Sequence, residues 1–204
     1  GPKILIAAHM DEIGVMAMFK EPTSGFVRFT NLGGLLYTTL RGNRVKFEDG
    51  TVGVIGVHGN GGSSRTNVPK LDDFYIDVDD GNGGAFEAGV PASFWREFEV
   101  RGNRVIGKAM DDRIGCVVAI ETMKKINKQT PNELYFVFTV QEEVGLRGAR
   151  TAGFGVDPDI AIALDVTLTG DVPDSSKMAV KLGGGAAIKI HDNMLVVPPA
   201  VRDW

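Results

Sequence analysis

Apolar positions in this chain fall into two kinds of run. Residues 3–8, 135–140 and 160–164 are short, nearly unbroken apolar stretches, the pattern of strands buried on both faces of a sheet. Between Gly14 and Glu99 the runs are shorter and richer in β-prone residues: 26–29, 44–47, 51–57 and 74–78, separated by glycine and polar turns. Glu48-Asp49-Gly50-Thr51 reads as a hairpin turn between two of them. Many short strands with such turns predict a small barrel or sandwich. From Val100 onward the pattern becomes α/β alternation. Residues 113–126 predict a helix whose Ile114, Val117, Val118, Ile120 and Met123 form a broad apolar face, with Lys124-Lys125 at the negative end of its dipole. The expected architecture is an α/β layer interrupted by a β module. Residues 1–13 and 100–204 belong to the layer and residues 14–99 to the insertion.

Composition narrows the function. The 204 residues carry 43% hydrophobic content and a formal net charge of −4, with a mean hydropathy near zero and a pI of about 5.4. A nucleic-acid partner has no electrostatic support in that balance. No apolar stretch approaches the roughly 20 residues that span a bilayer, so no membrane partner is expected. The single cysteine, Cys116, cannot form an intrachain disulfide and points to a reducing, cytoplasmic setting. Its apolar surroundings make it a small buried residue rather than a nucleophile. Gly1-Pro2 leads directly into a strand, and Pro198-Pro199 opens a helix about one turn before the last residue. The expectation is an internal fragment of a longer protein.

The chemistry sits in four acidic clusters that follow apolar runs: His9-Met10-Asp11-Glu12, Asp111-Asp112-Arg113, Glu142-Glu143 and Asp165. In an open α/β sheet, ligands gather outside the carboxyl ends of the strands. Alternation along a strand puts His9 and Asp11 on one side. They read either as a metal ligand with a carboxylate that fixes its tautomer, or as a simple hydrogen-bonded pair. Asp111-Asp112 reads either as a cation bridge or as the cap of the following helix. Glu142-Glu143 offers one metal ligand and one proton acceptor. Together they supply a histidine, a bridging aspartate, a glutamate and a further aspartate as ligands, with a second glutamate left over as base.

In this order and context the clusters resemble the M42 family of metallo-aminopeptidases, the glutamyl and tetrahedral aminopeptidases. The matching segments are residues 8–14, 108–113, 142–149 and 163–165, with further similarity at 183–186 and 196–199. The resemblance implies a metallopeptidase-type mixed sheet flanked by helices, with an inserted small β-barrel-like domain that contributes to oligomer contacts. It implies His9, Asp111, Glu143 and Asp165 as metal ligands, Asp111 bridging two ions, Glu142 as general base and Asp11 behind His9. The Asp111-Asp112 peptide is expected to be cis. Two divalent ions per complete site follow, zinc first, with cobalt and manganese as alternatives. Peptide substrates and a homo-oligomer, dimer-based and reaching a dodecamer, follow likewise. The alternatives are a related deacylase or carboxypeptidase, and a non-catalytic assembly module of the same fold. The family's second metal also takes a histidine from a later segment. His191 does not match that motif, and His58 lies in the inserted module. Two other motifs lack the required spacing: Asp77-Val78-Asp79-Asp80-Gly81 as a calcium loop, and 59–64 as a phosphate cradle.

Overall fold

A computed structural model describes residues 1–58, 68–78, 87–126, 129–175 and 177–203. In it the three unbroken apolar runs become neighbours in one parallel sheet, β1 (Lys3–His9), β10 (Glu133–Thr139) and β11 (Ile160–Ala163), in the order β10-β1-β11. His9 lies opposite Thr139, and Ala7 opposite Ala163. The three strands therefore end on one edge, and the residues that follow each of them converge there.

Helices α1 (Met110–Lys125) and α2 (Arg147–Val156) pack against β1 and β10. Asp111 and Asp112 have non-helical backbone angles, so regular helix starts at Arg113, where the sequence placed it. The expected apolar face needs correction. The residues that α1 buries after Asp112 are Gly115, Cys116 and Ala119, while Ile114, Val117, Val118, Ile120 and Met123 are 40–51% exposed. The reason is close approach: the Cys116 thiol donates to the His9 carbonyl at 3.2 Å, and only small side chains fit under a helix that near to a strand. The reading of 160–164 as a buried strand is also corrected. Ala161, Ile162 and Ala163 are exposed, because among the described residues β11 pairs only with β1.

The segment between β1 and α1 closes on itself. Strands β2 (Gly14–Lys20), β3 (Val27–Leu32), β4 (Arg44–Phe47), β5 (Val52–Val57), β6 (Phe74–Asp77) and β7 (Pro91–Phe94) form a barrel in the order β2-β3-β6-β5-β4-β7. Every pairing in it is antiparallel. Alternation along the strands sends Val15, Val27, Val45, Ile55, Phe74 and Ile76 inward, each at most 1% exposed. The turn over 48–51 joins β4 to β5, with the Phe47 amide bonded to the Thr51 carbonyl at 2.8 Å. A hairpin of β8 (Glu99–Arg101) and β9 (Arg104–Ile106) then precedes α1. The 59–64 motif and most of the Asp77–Gly81 motif lie outside the described residues.

Two compact units are present, Gly1–Val166 and Thr167–Trp204. The second contains a bridge between His191 and Val196 and the short helix α3 (Pro199–Arg202), with Pro199 in its first turn as the sequence predicted. No helix among the described residues is long and apolar enough to cross a membrane.

Candidate active site

His9 ends β1 and is 3% exposed. Its Nδ1 lies 3.1 Å from the Asp11 carbonyl oxygen, which can only accept, so Nδ1 carries a proton. The opposite nitrogen, Nε2, faces Asp111 Oδ1 at 2.9 Å and Glu142 Oε2 at 3.8 Å. The imidazole is thereby turned with its Nε2 toward the carboxylates.

Asp11 does more than stand behind His9. Its Oδ1 is 3.4 Å from Nδ1, and its two oxygens accept the backbone N–H groups of Glu142 and Glu143 at 3.1 and 3.2 Å. One side chain from the β1 loop thus fixes the peptide that follows β10. That link explains how two adjacent glutamates are held at one strand end.

Asp111 and Asp112 are held in different ways. Asp112 is fully buried and its carboxylate accepts the Gly115 N–H at 3.1 Å and the His9 N–H at 3.3 Å. It caps α1 in the N-cap to N3 manner and anchors the end of β1. Any side chain at Gly115 would put a Cβ only 2.4 Å from that carboxylate. Asp111, 56% exposed at its side chain, turns outward to His9. The peptide between them is cis, as expected. Non-glycine residues with positive φ flank the cluster: Ala109 (54°), Gln141 (58°) and Leu146 (58°). Each such residue costs about 1–2 kcal/mol, so this backbone is held by its surroundings against its local preference.

Crowded carboxylates shape the electrostatics. Burial first, then Asp111 and Glu142, pushes Glu143 up to about 7. Burial, reinforced by Asp165, raises Asp112 to about 6. Glu142 is raised by burial and by Asp165, Asp111 and Asp11, with His9 opposing. Burial works against the charged form of His9, but Glu142, Asp111 and Asp11 outweigh it and lift its pKa above the ordinary histidine value. Among the described residues the donor atoms fall into two groups, each within 4.8 Å: His9 with Asp112 and Asp165, and His9 with Glu142 and Glu143, so that the first includes Asp112 where Asp111 was expected. One imidazole among so many oxygen donors suits divalent cations, which would relieve the repulsion. His58 belongs to neither group. It follows β5 in the barrel, beside Glu21 at 3.7 Å.

Residues 1–204 match the family model for M42 glutamyl aminopeptidases along their whole length. The chain belongs to that family. Its curated relatives include a protein of Acetivibrio thermocellus, 47% identical over an alignment of 208 positions that covers 99% of this chain and 61% of that protein. Among solved structures of similar fold is an aminopeptidase from the archaeon Desulfurococcus kamchatkensis, with a TM-score of 0.77 and 41% identity over 86% of this chain and 51% of that one. Another is the Pyrococcus horikoshii TET1 peptidase, described as assembling into a tetrahedron or a large octahedral shell. It has a TM-score of 0.69 and 33% identity, covering 84% of this chain and 56% of that one. The chain therefore spans about three fifths of the length of the curated family member it matches.

Two features of the site were not anticipated from sequence. They are the ion pair of Glu12 with Lys108 at 2.6 Å, and Gly33, whose added Cβ would lie 3.1 Å from Glu143. Glu12 and Lys108 were visible within the matching segments, as charges outside the expected ligand set. Gly33 gave no local signal, because its neighbour is brought in by the fold.

Proposed function

We propose that the intact protein is a two-metal aminopeptidase that removes residues from the N-termini of peptides. The observation that carries this reading is the way Asp11 fixes the Glu142-Glu143 peptide beside the ligating nitrogen of His9. Held there, one glutamate would be in reach of a metal and the other would serve proton transfer. His9, Asp111 and Asp165 would hold one ion, and Asp111 and Glu143 the other. Asp111 is favoured over Asp112 as the bridge because Asp112 already accepts two backbone N–H groups in a fully buried position. Bound divalent ions, zinc first and cobalt or manganese as alternatives, supply Lewis acidity and lower the pKa of water.

Glu142 is the general base in this reading. Its raised pKa suits a carboxylate that takes a proton from the attacking water and returns it to the leaving amine. Asp11 holds that base in position through the backbone, and His9 keeps Nε2 available through its Nδ1–H bond. Residues 1–13 and 100–204 form the catalytic domain and 14–99 the inserted one. The cytoplasm is the proposed location. The assembly of the Pyrococcus horikoshii relative supports a homo-oligomer, for which dimers are the proposed building unit.

The test uses the full-length protein. It should cleave peptides with a free N-terminus, lose activity to a chelator and regain it with zinc, cobalt or manganese. Preference for blocked amines would favour a deacylase, release of the C-terminal residue a carboxypeptidase, and no turnover with any metal an assembly module. Light scattering should report several chains per particle.

A further inference from the structure

The two stretches that carry the candidate ligands, already linked by His9 Nε2 to Asp111 and by the His9 N–H to Asp112, are joined again by charges that lie in neither candidate donor group. Glu12 follows Asp11 directly and is 16% exposed at its side chain. Lys108 Nζ donates to both of its oxygens, at 2.6 and 2.8 Å, and lies 3.5 Å from the Ser93 hydroxyl on β7. Arg113, the residue after Asp112, reaches Glu12 Oε1 at 3.4 Å and donates through Nε to the Met10 carbonyl at 3.3 Å. One carboxylate from the β1 loop is thus held between two cations that bracket Asp111-Asp112.

We infer that Glu12, Lys108 and Arg113 form a clamp that sets the spacing between His9-Asp11 and Asp111-Asp112, acting as positioning residues for the site. This rests on the reading of that site given above. The argument is one of persistence. The direct contact of His9 Nε2 with Asp111 uses the very atoms that would ligate a cation, so it cannot hold the two segments once a cation takes those atoms. The Glu12 pairs use none of them and remain. The Lys108 pair is also short, doubly bonded and half-buried, unlike the exposed pairs whose contribution is near zero, whereas the Arg113 pair is longer and its guanidinium more exposed. Ser93 brings the barrel to the same point, so the inserted strands brace the spacing as well.

Removing a partner one step behind a metal ligand typically lowers metal affinity or activity about 10–100-fold. The experiment measures zinc affinity by competition with a chromogenic chelator, together with kcat, KM and Tm. It uses the full-length protein and its Glu12→Gln, Lys108→Met, double, and Lys108→Arg variants. Glu12→Gln and Lys108→Met should each weaken zinc binding and lower kcat about tenfold or more, with KM little changed. The double variant should be no worse than the poorer single, and Lys108→Arg should retain most of the parent's affinity. Zinc affinity and kcat within twofold of the parent, or a fall in Tm alone, would overturn the clamp. So would losses that simply add in the double variant. Should Lys108→Met not fold, Glu12→Gln and Lys108→Arg decide. Glu142→Gln serves as the control: full turnover there would sink the catalytic reading, while the zinc affinities would still judge the clamp.

Discussion

The barrel and the parallel sheet use the same kind of apolar sequence in opposite ways. The barrel spends it on a closed core, in which Val15, Val27, Val45 and Ile76 show no exposure and Phe74 shows 1%. Around the sheet, α1 leaves its larger apolar residues half-exposed, and the most deeply buried groups include His9 and Asp112. There, too, lie Ala109, Gln141 and Leu146 with positive φ. A region that holds ionisable groups in fixed, mutually repelling positions gives up stability, and a neighbouring region with an uninterrupted core can supply it. Folding strength and chemistry are thus separated along one chain. They meet where Gly33 and Ser93 of the barrel segment touch the site.

The sharpest way to break this contrast is at Glu142. Glu142→Gln in the full-length protein should lower turnover about 10²–10⁴-fold, the usual range for a positioned base, while Tm holds or rises because a repelled, buried charge is gone. A large fall in Tm would mean that the site carries stability after all. Phe74→Ala should do the reverse, costing about 3–5 kcal/mol in denaturant unfolding as a buried aromatic is lost, with kcat of the folded protein little changed. Gly33→Ala probes the contact between the regions. Its φ of +77° is strained for any residue with a Cβ, which would lie 2.9 Å from Ile13 and 3.1 Å from Glu143. It should destabilise by about 1–2 kcal/mol and also weaken zinc binding, as chelator competition would reveal.

The smallest effect is in pH. Glu143 and Asp112 have folded-state pKa values of about 7 and 6, above their unfolded values, so the folded protein holds protons that the unfolded chain has released. Their contribution to stability is complete below about pH 4 and is lost as pH rises through 6 and 7. Chelator-treated protein should therefore melt a few degrees lower at pH 8 than at pH 5. Added zinc should reverse that slope, since metal binds the deprotonated carboxylates. A flat profile in both conditions would show that the carboxylates are not crowded.

Much of this could be read from local pattern. The apolar runs located β1, β10 and β11, and the alternating ones located most barrel strands, because period-two burial is written into neighbouring residues. The acidic clusters were legible for the same reason, since His9-Asp11, Glu142-Glu143 and Asp165 sit just past the strands that deliver them and Asp111-Asp112 stands at the head of α1. The face of α1 was not. Hydrophobicity alone favoured Ile114, Val117 and Val118, whereas the distance between helix and strand selected Gly115, Cys116 and Ala119. Nor could local pattern tell Asp111 from Asp112, two identical residues in succession that differ in burial and in the direction each faces; only the family resemblance singled out Asp111.

What the sequence determined by itself was which side chains would stand at strand ends and how many carboxylates would share one histidine. Only the tertiary structure decided that six strands close into a barrel through β7, that Asp11 holds the Glu142-Glu143 peptide, and that Glu12 pairs with Lys108 across 96 positions. The physical reason is range. Propensity and periodicity act over a few neighbours, while hydrogen bonds and ion pairs between distant segments exist only after the backbone has brought them within about 3 Å.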